Sequence, residues 1–114
     1  MKKILMLGDN ILQMTAIKRA VELGYYVICI DMSQDNPGRK FAHKFYNVST
    51  TDVDAVLKIA KENNVDGILS YASDVSAPTA AYVCEKLGLP TNPYESVCTL
   101  TYKNLFIIFT YLFR

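Results

Sequence analysis

Short apolar runs alternate with longer stretches in which apolar residues recur every three or four positions. Lys3-Ile4-Leu5-Met6-Leu7 is a continuous apolar run that stops at Gly8. A run of that length without polar alternation suits a parallel strand buried on both faces. From Ile11 to Leu23 the apolar positions Met14, Ile17 and Val21 share one helical face, with Lys18, Arg19 and Glu22 on the other. That spacing predicts an amphipathic helix, which Gly24 ends. Tyr25 to Ile30 predicts a second strand, rich in β-branched and aromatic residues and closed by Asp31.

Met32 to Lys44 breaks the rhythm. Asp35, Asn36, Pro37 and Gly38 mark it as a turn-rich loop. Phe45-Tyr46-Asn47-Val48 predicts a short third strand. Thr51 and Asp54 flank a helix start in a capping-box pattern, followed by a Val53, Val56, Leu57 and Ala60 stripe. Asp66 to Ser70 predicts a fourth strand. Ala77 to Leu87 predicts a helix stopped by Gly88, and Asn92-Pro93-Tyr94-Glu95 reads as a further helix start. Strands that alternate with helices in this way imply an α/β fold, a mostly parallel sheet with helices on both faces. Ligands in such folds bind beyond the carboxyl ends of the strands. Attention therefore falls on Gly8 to Gln13, on Asp31 with its loop, and on Tyr71 to Ser76.

Composition narrows the classes. The chain has 114 residues, 51% hydrophobic and 20% charged, with a net charge of +1. This is the size of one domain with a real core, and disorder is excluded as its main state. The near-neutral balance gives no basic surface for nucleic acid. Cys29, Cys84 and Cys98 are odd in number and show no framework spacing, which argues against disulfides. Cys29 and Cys84 read as small buried hydrophobes. A single histidine, His43, and no CxxC pair argue against a zinc site. No signal peptide follows Met1-Lys2-Lys3, and a reducing, cytoplasmic setting is expected.

Four local groups carry chemistry. Gly8-Asp9-Asn10-Ile11-Leu12-Gln13 stands where a dinucleotide fingerprint would read G-x-G-x-x-G, but only the first glycine is present. The loss of the other two weakens a dinucleotide reading, and an ordinary βα turn stays open. Asp31 suits either a ribose hydroxyl or a turn of its own loop. Ser70 to Ser76 offers hydroxyls and a carboxylate, with capping of the next helix the stronger local reading. Arg39, Lys40, His43 and Lys44 read as a solvated cluster rather than a phosphate site. No nucleophile–base arrangement emerges, because His43 has no placed partner. A receiver domain is disfavoured, since Asp9 stands alone after the first strand.

Taken in order, these stretches resemble the N-terminal, pre-ATP-grasp domain of ATP-grasp ligases. The matching residues are Ile4 to Gly8 through Gln13, and Glu22 to Val27 leading to Asp31. Pro37-Gly38, Ala42, and Asp66 to Leu69 through Ser73-Asp74 follow, then Ala77-Pro78-Thr79, Leu87 to Pro90, Asn92-Pro93 and Lys103. The chain looks closest to proteins like the carbamoyl-phosphate synthetase large subunit. Asn10 stands at a frequent glycine of that family, and His43 at its usual acid. The resemblance implies a Rossmann-like three-layer domain over residues 1–100 and the start of the ATP-grasp domain over 101–114. It implies ligation of a small carboxylate or bicarbonate through an acyl phosphate, with ATP and Mg²⁺ held by later domains. It assigns Gly8, Asp9, Gln13, Asp31, Ser73 and Asp74 to the substrate pocket, and no catalytic or metal-binding residue to this chain. A stand-alone Rossmann-type nucleotide or small-molecule module is the alternative.

The apolar run Ile107 to Phe113 departs from the family and is too short to span a bilayer, which needs about 20 apolar residues. It is expected to form a short apolar helix at a truncated end, packing on this domain or pairing two copies as a homodimer.

Overall fold

The computed structural model describes residues 2–33, 36–70 and 75–89. The elements are β1 (Lys3–Leu7), α1 (Ile11–Glu22), β2 (Tyr26–Ile30), a 3-10 turn (Pro37–Phe41), β3 (Lys44–Tyr46), α2 (Val53–Asn63), β4 (Gly67–Leu69) and α3 (Ala77–Leu87). The strands form one parallel sheet in the order β3-β2-β1-β4.

The apolar runs of β1 and β2 are explained by burial on both faces. Leu5, Leu7, Ile28 and Ile30 point to one side, where Val56, Ile59 and Ala60 of α2 and Ala80, Val83 and Cys84 of α3 meet them. Met6, Val27 and Cys29 point to the other, against Ile17 and Ala20 of α1, with Phe41 and Phe45 alongside. Helices therefore cover both faces, and the α/β, Rossmann-like three-layer expectation holds.

This arrangement also sets where the sheet changes direction. The chain passes outward from β1 through β2 to β3, then crosses back to place β4 on the far side of β1. The carboxyl ends of β1 and β4 thus form the switch point, a crevice between α1 on one face and α3 on the other. Asp66 braces the opposite end, its carboxylate accepting the Lys3 N–H at 2.8 Å and its N–H donating to Lys3 O at 2.8 Å.

Element boundaries fall within two residues of the sequence expectation, with two corrections. The cap of α2 is Asp52, whose side chain accepts from the Ala55 N–H at 3.2 Å. Thr51 is drawn off instead by Ser49, their hydroxyl oxygens 2.8 Å apart. The loop after β2 holds the 3-10 turn, started by Pro37. The helix start at Asn92, the segment 101–114 with its expected apolar helix, and Cys98 all lie outside the described residues.

Candidate functional site

The turn after β1 is built around Gly8, whose φ of +111° suits glycine. Its N–H donates to Ile30 O at 2.8 Å, tying the turn to the end of β2. Asn10 and Gln13 then cap α1 reciprocally. The Asn10 N–H donates to Gln13 Oε1 at 3.1 Å, and the Gln13 N–H donates to Asn10 Oδ1 at 3.2 Å. This is a capping box in amide chemistry. Gln13 is buried, and its side chain fills the hollow under Gly8, where an added Cβ would lie 3.1 Å from its carboxamide carbon.

Between Gly8 and Asn10, Asp9 is fully buried. A buried carboxylate needs a cation and a full set of donors. Arg39 of the 3-10 turn supplies both, its Nε donating to Oδ2 at 2.9 Å and its Nη2 to Oδ1 at 3.3 Å. Asn36 adds Nδ2 to Oδ1 at 2.8 Å. The backbone joins in, since the Gly38 N–H donates to Asp9 O at 2.8 Å. That approach is possible only for glycine, because a Cβ on residue 38 would stand 2.5 Å from Asp9 O.

Asp31 closes the network. Its Oδ2 accepts the Asp9 N–H and Asn36 Nδ2, both at 3.1 Å, and its Oδ1 accepts the Ser33 N–H at 3.0 Å. Arg39 reaches on to Ser33 O and stacks on Phe45, the guanidinium carbon 3.8 Å from the ring centre. Beneath the network lies Cys29, whose thiol is pushed up to about 12, by burial first and then by the Asp9 charge. Such a thiol is inert at neutral pH.

Gly8, Asp9, Gln13 and Asp31 therefore sit together at the carboxyl edge. Ser73 and Asp74 lie outside the described residues. Ser76 is buried at the head of α3, with no side-chain cap bond to the helix. Sequence reasoning missed Asn36, Gly38 and Arg39. The available signal was two acids closing adjacent strands with no cation assigned to them, and an arginine in the loop between.

The expected solvated cluster of Arg39, Lys40, His43 and Lys44 comes apart. Arg39 serves Asp9, and its side chain is only 23% exposed. The His43 ring stacks on Tyr26 with centroids 4.7 Å apart, and its Nδ1 accepts the Val27 N–H at 3.0 Å. Lys44 lies 5.2 Å from the Tyr46 ring centre. Its hydrogen bond holds the Tyr46 phenol below its usual range, with Asn63 contributing a second hydrogen bond.

Among the described residues, no group of three or more His, Cys, Asp or Glu is placed to hold a metal ion. None of the described helices is long and apolar enough to cross a membrane. A cleft of about 440 Å³ between the ends of α2 and α3, lined by Ala60, Lys61, Asn64, Val65, Leu87 and Leu89, lies at the opposite edge and gathers no chemistry.

A family model described as the ATP-grasp N-terminal domain matches residues 17–91. A formate-dependent phosphoribosylglycinamide formyltransferase of Rhodococcus jostii is 28% identical over 121 residues, covering 82% of this chain and 30% of its own length. The phosphoribosylglycinamide synthetase structure from Anaerococcus prevotii superposes with a TM-score of 0.81 at 25% identity, over 90% of this chain and 26% of that one. An N5-carboxyaminoimidazole synthetase from Staphylococcus aureus, complexed with ADP, gives 0.71 at 27% identity, over 87% and 26%. The chain thus spans about 30% of the length of the curated relatives it matches.

Proposed function

The chain belongs to the ATP-grasp N-terminal domain family, and from that premise we propose that it is the substrate-side domain of an ATP-dependent carboxylate–amine or bicarbonate ligase. The carboxyl edge of the sheet is the face it turns toward substrate. One observation carries this reading: Gly8, Asp9, Gln13 and Asp31 converge at the carboxyl edge, in a turn whose buried carboxylate Arg39 holds. Two kinds of role follow from burial. Asp9 and Gln13, at 0% and 1% exposure, shape the turn from inside. Gly8 is buried with them, and half-buried Asp31 stands at the rim. Ser73 and Asp74 are assigned to the same pocket by the family resemblance alone.

The chemistry of the whole ligase is a proposal of the same standing. ATP would phosphorylate a small carboxylate or bicarbonate, and an amine would displace the phosphate, as in carbamoyl-phosphate-synthetase-like enzymes. Stabilising that transfer requires Mg²⁺ and cationic clamps. Among the described residues Arg39 is committed to Asp9, and the family resemblance assigns that machinery to later domains. The closed turn also disfavours the stand-alone nucleotide module.

The test is ATP turnover. The purified chain, given Mg²⁺-ATP with small carboxylates, bicarbonate and amines, is expected to release no phosphate above background. Substrate-dependent hydrolysis by this chain alone, or tight binding of NAD or NADP, would overturn the assignment.

A further inference from the structure

In parallel α/β folds the turn after the first strand takes phosphate on free backbone N–H groups, which glycines leave uncovered. In this chain four of those groups are already engaged. The Gly8 N–H donates to Ile30 O at 2.8 Å and the Asp9 N–H to Asp31 Oδ2 at 3.1 Å. The Asn10 N–H goes to Gln13 Oε1 at 3.1 Å and the Gln13 N–H to Asn10, at 3.1 Å to its carbonyl and 3.2 Å to its side chain. Gln13 stands at the third glycine of the fingerprint, and its carboxamide oxygen occupies one N–H that a phosphate oxygen could otherwise take.

Charge points the same way. Asp9 and Asp31 bring two carboxylates to the turn, and Arg39, the one cation in contact with Asp9 among the described residues, is spent on it in a two-point ion pair. An incoming phosphate would bring up to two negative charges against that balance, where a small carboxylate brings one. The residues flanking the turn are apolar instead: Ile11 is 67% exposed and Met32 62%.

We propose that Gln13 is a specificity-determining residue that closes this turn to phosphate, so that the substrate taken at the carboxyl edge is an unphosphorylated small molecule. This deepens the substrate-side reading and rests on it. It separates the chain from relatives whose names specify phosphoribosyl compounds.

The experiment is backbone amide NMR on the ¹⁵N-labelled chain. Ribose 5-phosphate and inorganic phosphate are titrated at constant ionic strength, with ribose as control. The amides of Gly8 to Gln13, Ile11 and Leu12 included, are expected to show no saturable shift, which bounds any Kd above about 10 mM. A second arm measures hydrogen exchange. Gln13→Ala is expected to lower Asn10 amide protection at least about tenfold, and Gln13→Glu, which keeps an acceptor, to retain most of it. Saturable phosphate shifts in the native turn overturn the proposal. So does unchanged Asn10 protection in a folded Gln13→Ala variant. The phosphate arm needs no variant to fold. Either failure leaves the substrate-side reading intact, because that reading falls on ATP turnover or dinucleotide binding instead.

Discussion

Replacing Arg39 with methionine keeps the length and apolar stem of the side chain but strands the Asp9 carboxylate. Asp9 is fully buried, and Arg39 is its only cationic partner among the described residues. Breaking a buried pair from one side typically costs about 3–5 kcal/mol, because the remaining charge is left uncompensated. Loss of the stack on Phe45 adds to this by about 0.5–1 kcal/mol. The Asn36 bond to Asp9 remains and offsets part of it. We therefore expect Arg39→Met to destabilise the chain by about 3 kcal/mol. For a domain of this size that lowers the melting temperature by roughly 12–24 °C. The chain has no tryptophan, so urea unfolding is best followed by far-ultraviolet circular dichroism. Because total stability is typically about 5–15 kcal/mol, a second variant guards against simple unfolding. Asp9→Asn removes the charge in place, and the double variant Asp9→Asn/Arg39→Met is expected to be more stable than Arg39→Met alone. Arg39→Lys should restore only part of the loss, since one ammonium cannot make the two-point contact. A cost below about 0.5 kcal/mol for Arg39→Met, with no coupling in the cycle, would refute the role given to this pair.

Gly38→Ala is expected to cost about 1–3 kcal/mol, because its Cβ would fall 2.5 Å from Asp9 O, whereas Gly67→Ala meets nothing within 4 Å and should stay within about 1 kcal/mol of the parent; urea midpoints compare them. The Cys29 thiol ionises near 9.0 when unfolded and at about 12 when folded. Its contribution is therefore complete below pH 9 and is lost as pH rises above it, by about 1.4 kcal/mol per pH unit, and Cys29→Ala should flatten that decline in unfolding measured across the range. His43→Ala removes the acceptor of the Val27 N–H and should cost about 1 kcal/mol, with faster exchange of that amide as the direct readout. Lys44→Met should return the Tyr46 phenol upward toward its ordinary value, followed by NMR of its ring across pH.

Much of the fold was legible because burial on both faces leaves a local imprint. Leu5, Met6 and Leu7 point alternately to two cores, so their run is unbroken, and the helical stripe of Val56 and Ala60 shows the same burial at a different period. The site was legible only in part. Asp9 and Asp31 stand out by position, just after their strands. Arg39 lies 30 residues from Asp9 in sequence, and no periodicity links the two. The pairing is a tertiary answer to a buried charge. Gln13 was read as a missing glycine, whereas it is a filled position. That distinction depends on its side chain folding back under Gly8, which spacing does not encode. Asp52 displaced Thr51 as a cap because the Ser49 hydroxyl competes for Thr51.

The central claim is that the carboxyl edge is the face that meets substrate. A panel of small unphosphorylated carboxylates and amines, titrated into the ¹⁵N-labelled chain and followed by amide shifts, tests it most directly. The account predicts that the responding amides gather at Gly8 to Gln13 and at Asp31 to Ser33. Saturable shifts gathered instead around Ala60, Asn64 and Leu87, at the cleft on the opposite edge, would contradict it.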